Sequence, residues 1–78
     1  MLVQVRIVGN LPYMVKGLQR QYTDLPLPEG ARLTDLLNFL HIKRELFAFA
    51  FSNGKRLEMD SLLSDGMEVT FFSPAAGG

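Results

Sequence analysis

The sequence predicts an α+β domain in which a mixed sheet of four to five strands wraps one main helix. Three observations carry that expectation. Two stretches alternate apolar and polar residues with period two, at positions 2–8 and 67–72. Leu33, Leu36, Leu37 and Leu40 fall at i, i+3, i+4 and i+7, the stripe of an amphipathic helix. Asn53-Gly54, just after an aromatic-rich run, is the dipeptide best suited to a two-residue hairpin turn.

Taken in order, the first strand should place Val3, Val5 and Ile7 on one face. Gly9-Asn10-Leu11-Pro12 and Lys16-Gly17 are breaker clusters. Between them we expect a loop carrying Tyr13, Met14 and Val15. A second strand is expected over about 18–27, with Pro26 and Pro28 placing its end at a sheet edge. After the turn Pro28-Glu29-Gly30 comes the leucine-striped helix, with Arg32 or Thr34 as its N-cap. Residues 46–51 read as a strand with Phe47, Phe49 and Phe51 on one face and Ala48 and Ala50 on the other, buried on both sides. Asn53-Gly54 should turn it back into a short strand over 55–58. Ser64-Asp65-Gly66 turns into a last strand, with Met67, Val69 and Phe71 facing in and Glu68, Thr70 and Phe72 facing out. Strand, strand, helix, strand, short strand, strand is the β-grasp order of ubiquitin-like domains.

Composition narrows the function by exclusion. In 78 residues there is room for one core, with a stability on the order of 5 kcal/mol. Eight basic and eight acidic residues cancel, which argues against capture of nucleic acid or of an anionic membrane. No apolar run approaches a membrane span, and residues 1–8 alternate where a signal peptide would be continuously apolar. The lack of cysteine removes disulfides, thiolate catalysis and zinc–sulfur sites, and fits a cytoplasmic protein. His41, the single histidine, is expected as a partly exposed residue near the helix end, and no metal site is expected. Side-chain catalysis has almost no material to work with.

What remains is the C-terminal end. After Phe72 the side chains shrink through Ser73, Pro74, Ala75, Ala76, Gly77 and Gly78. Pro74 cannot donate to a ladder, so the sheet should stop there. The expected division is a β-grasp domain over 1–74 and a flexible Gly-Gly tail over 75–78. From Asp65-Gly66 through Phe71-Phe72, Pro74 and Gly77-Gly78 the chain resembles the MoaD/ThiS sulfur-carrier family, whose members end in an aspartate–glycine turn, an apolar strand, a proline and a small-residue tail. The likeness extends upstream through Leu27-Pro28-Glu29-Gly30-Ala31, Asp35-Leu36-Leu37 and Asn53-Gly54. Phe71-Phe72 followed by Pro74 looks more like the small subunit of molybdopterin synthase than like the thiamine sulfur carrier. The sequence departs from that subunit at Ser73, where a second proline is usual, and at residues 9–17, which do not read as the short helix common after the first strand.

The resemblance implies a carrier that is not catalytic alone, or the small subunit of a molybdopterin-synthase-like sulfurtransferase. A ubiquitin-activating-type adenylyltransferase would adenylate the carboxylate of Gly78 with ATP. A sulfur donor would then displace AMP to leave a thiocarboxylate, and the large synthase subunit or an equivalent enzyme would accept the sulfur. The carrier itself binds no cofactor. At pH 7 an α-carboxylate is ionised, its ordinary pKa being about 3.3–3.7, and it can attack the α-phosphorus of ATP without a base from this chain. Gly77 and Gly78 lack a β-carbon, and with Ala76 and Ala75 they suit threading into another protein's active site. Phe72 and Pro74, next to the tail, are the candidate partner-binding residues. Arg6, Lys55 and Arg56 are expected as solvated surface charges or as partners of acidic residues on that enzyme. A thiamine-type carrier, and a ubiquitin-like modifier conjugated through Gly78, begin with the same acyl-adenylate and remain alternatives.

Overall fold

The computed structural model describes residues 1–46 and 49–72. Five strands form one mixed sheet in the order β2-β1-β5-β3-β4. β1 (Leu2–Val8) and β5 (Glu68–Phe72) are its parallel central pair. β2 (Gln21–Pro26) is antiparallel to β1, and β3 (Phe49–Ser52) is antiparallel to β5. β4 (Lys55–Arg56) closes the far edge. With α2 (Leu33–Phe39) packed on one face, the chain has the expected β-grasp architecture.

The core lies between the inner face of the sheet and α2. Val3, Val5, Ile7, Ala50, Val69 and Phe71 point inward from the strands, and all are at most 2% exposed. Leu33, Leu36, Leu37 and Leu40 meet them, so the helical period in the sequence is the buried stripe. Arg32 is the N-cap, settling the choice against Thr34. Its backbone N–H donates to the Asp35 carboxylate (2.7 Å), while its guanidinium donates to the Asp60 carbonyl (2.6 Å). Asp35 thus satisfies the backbone from within the first turn, where a carboxylate also complements the helix dipole.

Several boundaries differ from the sequence reading. Residues 9–17 contain a short helix, α1 (Leu11–Met14), which begins with Pro12 in its first turn and buries Leu11. Proline's fixed φ suits that first turn, so the breaker Pro12 starts a helix here. β2 is shorter than 18–27: Leu18 follows the turn at Gly17 (φ 81°), and Leu27, beyond the strand, bonds through its N–H to the Met1 carbonyl (2.8 Å). Both leucines are nonetheless buried. The edge position expected from Pro26 and Pro28 is observed.

The aromatic run is changed most. Arg44–Leu46 is a 3-10 turn, and the strand begins only at Phe49. Phe47 and Ala48 lie outside the described residues. Ala50 faces the core, whereas Phe49 is 42% exposed, so the strand is not buried on both sides. Among the described residues, the buried core lies on one face of this sheet, the face that α2 covers. Asn53 (φ 52°) and Gly54 (φ 75°) form the expected hairpin turn, but the return strand stops at Arg56 because the chain then crosses to the start of α2. There Met59 and Ser61 carbonyls accept the Thr34 and Leu33 N–H groups. The turn before β5 places Gly66 at φ 80° and its N–H on the Leu2 carbonyl (2.7 Å). His41 is exposed just past α2, as expected. The division between 1–74 and 75–78 falls outside the described residues.

Candidate functional site

The site begins where β5 ends. Because β5 is central, its register fixes what surrounds its last residue on both sides. Phe72 pairs with Val8 of β1 and with Phe49 of β3. Directly paired residues share a face, so Val8, Phe72 and Phe49 form an apolar row across the outer face of the sheet. They are 42%, 36% and 42% exposed. One step further from the chain end, Arg6, Thr70, Phe51 and Arg56 form a second row by the same pairing.

The rings of this face are fixed against one another. Phe51 meets Phe72 edge to face, with centroids 5.6 Å apart and planes at 89°. Phe49 is tilted against Phe51 at 6.3 Å, and the Arg56 guanidinium lies 4.6 Å from the Phe49 ring centre. A shallow recess runs beside Phe72, bounded by Phe51, Ser52, Glu68, Thr70 and the Asn53-Gly54 turn. Edge-to-face and cation–π geometry leave large ring faces available while holding their positions. Such an arrangement can present an apolar anchor to another protein without rearranging.

Phe72 therefore faces outward, as the strand alternation requires, and Phe71 is fully buried on the opposite side. Pro74, Ala75, Ala76, Gly77 and Gly78 lie outside the described residues. The sequence reading did not find Val8, Phe49 and Phe51 as neighbours of Phe72, because their meeting depends on which strands flank β5. The available signal was the alternation of Phe49, Ala50 and Phe51, which marked two faces without saying which one met the helix. Arg6, Lys55 and Arg56 are exposed, as expected, and Arg56 lies against Phe49. Among the described residues, no group of three or more His, Asp or Glu side chains is placed to hold a metal ion. No described helix is long and apolar enough to cross a membrane.

Comparison with known proteins agrees with this fold. The crystal structure of SAMP1 from Haloferax volcanii superposes with a TM-score of 0.73 at 17% identity, covering 100% of both chains. At that identity the likeness concerns the fold. No curated protein sequence matches the chain. The sequence profile of the ThiS family matches residues 15–78, from Val15 just past α1 through β5 to Gly77-Gly78. The chain belongs to the ThiS family and has a ubiquitin-like, β-grasp fold.

Proposed function

We propose that this protein is a sulfur carrier whose working group is the carboxylate of Gly78. The observation that carries the reading is the family match, which runs through the small-residue end Ala75-Ala76-Gly77-Gly78. The Gly78 carboxylate attacks the α-phosphorus of ATP on an adenylyltransferase of the ubiquitin-activating type and expels pyrophosphate. Hydrosulfide, or an equivalent donor, then attacks the acyl carbon and expels AMP, leaving a thiocarboxylate. The chain supplies its end and a face to dock, and the partner supplies the catalytic groups. Phe72, in the apolar row with Val8 and Phe49 at the end of β5, would anchor that partner, with Pro74 following it in sequence.

The acceptor we assign is a molybdopterin precursor, for a molybdenum or tungsten cofactor, received on the large synthase subunit. The reason is Phe71-Phe72 followed by Pro74. The deciding experiment incubates the full chain with its adenylyltransferase, ATP and sulfide and measures intact mass. Replacement of one oxygen by sulfur at Gly78 supports the carrier. Conjugates on lysines of other proteins would make it a modifier instead, and an unmodified Gly78 would end both readings. Sulfur transfer to a thiamine precursor, with none to a molybdopterin precursor, would move the protein to the other branch.

A further inference from the structure

The net charge of zero conceals a separation. Strand register sets a common axis: β1 and β5 run in parallel toward Val8 and Phe72, and β3 begins beside them at Phe49. α2 starts at the other end, against Ser61 and Met59, and its C-terminal residues lead through 41–46 toward Phe49. Six exposed basic residues sit in the half where β5 finishes: Arg6, Lys16, Arg20, Lys43, Arg44 and Arg56. Among acidic residues Glu45 accompanies them, and Glu68, next to Thr70 on the outer face, borders them.

The other acidic residues gather toward the opposite end. Asp65 accepts the Leu2 N–H, and Glu29 pairs with the Met1 ammonium. Asp35 caps α2, and Glu58 and Asp60 lie in the turn that packs on the start of α2. Asp24 and Glu68 flank Gln4 near the middle of the sheet, and Glu68 also lines the recess beside Phe72. Among the described residues none of the six basic side chains is in an ion pair. Two are held by other means. Arg20 donates to the Gly9 carbonyl (3.1 Å) and lies over the Tyr13 ring, and Arg56 lies over Phe49.

We propose that this basic end, with the Val8–Phe72–Phe49 row at its centre, docks an acidic-rimmed, apolar-centred surface of the enzyme that receives residues 73–78. The inference rests on the carrier reading. Its basis is charge complementarity: an excess of cations without ion pairs surrounds an exposed apolar row, while Glu29, Asp35, Glu58, Asp60 and Asp65 give the far end an excess of anions that orients the molecule in the partner's field. A dipole of this kind raises the frequency of productive encounters, by about 10-fold or more at low salt, and aligns the approach before contact. The attraction is screened over about 10 Å at 0.1 M salt.

The test uses the isotope-labelled full chain and an oligoglutamate peptide, followed residue by residue by NMR at low salt. Expected are shifts confined to residues 6–20, 41–46, 49, 56 and 72, with Lys43→Glu weakening binding several-fold. Arg32→Glu makes the same change in net charge at the opposite end, beside the start of α2, and should change affinity less than about twofold, with circular dichroism checking that the fold is kept. Shifts spread over both ends, or equal effects of the two substitutions, would overturn the proposal. So would an RNA duplex bound more tightly than the peptide, which would make the surface a nucleic-acid site. A second measurement separates this inference from the carrier reading. With the adenylyltransferase, kcat/KM for adenylation should fall about 10-fold between about 0.01 and 0.3 M salt. Adenylation insensitive to salt removes the docking proposal and leaves the carrier, whereas peptide binding at the basic end without any adenylation removes the carrier and leaves an acidic-partner surface.

Discussion

Phe72 is half of an edge-to-face pair and also part of an exposed row, so its two roles are separable by measurement. Replacing Phe72 by Ala should cost about 1 kcal/mol of stability, the usual worth of such an aromatic pair. It should weaken partner binding by roughly 2 kcal/mol, about thirtyfold, if the ring is a central anchor. Titration with the adenylyltransferase, beside a thermal melt, reads both; unchanged affinity with a large stability loss would assign the ring to structure alone. A second residue-scale device is Asp24, whose φ of 55° is costly for a residue with a β-carbon. The Gln4 amide clamps it: Oε1 accepts the Asp24 N–H (2.9 Å) and Nε2 donates to the Asp24 carboxylate (2.8 Å). Gln4→Ala should therefore destabilise by about 1–2 kcal/mol. Adding Asp24→Gly should recover about 1 kcal/mol by removing the left-handed strain, measurable as a double-mutant cycle in urea.

At the scale of elements, the clamp marks a bulge. Between Val3↔Leu25 and Val5↔Tyr22, β2 uses one residue more than β1, and the extra residue faces Gln4. A bulge on an edge strand spoils it as a template for another chain, and Pro26 in the same strand acts likewise. The opposite edge is guarded by brevity and charge, since β4 is only Lys55–Arg56. α2 contributes through its single buried face. Leu37→Ala removes methyl groups that are 1% exposed and should cost about 2–5 kcal/mol, a large part of the stability of so short a chain. Circular dichroism should show the variant largely unfolded near 37 °C. A melting temperature within a degree or two of the parent would mean that the core closes without this stripe.

For the whole molecule, the division of labour we propose is between a packed domain and an end that works on other proteins. Among the described residues, the buried ones all lie within positions 3–71. Deleting Gly78, or adding one residue after it, should leave the melting temperature unchanged and abolish thiocarboxylate formation. Mass spectrometry after incubation with adenylyltransferase, ATP and sulfide checks this; sulfur uptake by the Gly78-deleted chain would refute the assignment of Gly78.

Sequence alone determined the elements whose signals are local. The alternation of Val3, Val5 and Ile7, the leucine stripe and Asn53-Gly54 depend only on backbone periodicity and on which residues accept positive φ, and each is observed. Phe72 was legible as outward-facing for the same reason. The short helix at Leu11–Met14 was not, because Pro12 reads as a breaker until its place in the first turn is known. Nor could the run 46–51 say that Phe49 and Phe51 face away from the helix, since period two marks two faces but only packing chooses the buried one. Zero net charge concealed the separation of cations from anions for a related reason: summation discards position. Tertiary structure decided these matters by setting β5 between β1 and β3, which brings Val8, Phe49 and Phe72, far apart in the chain, into one row beside the end of the last strand.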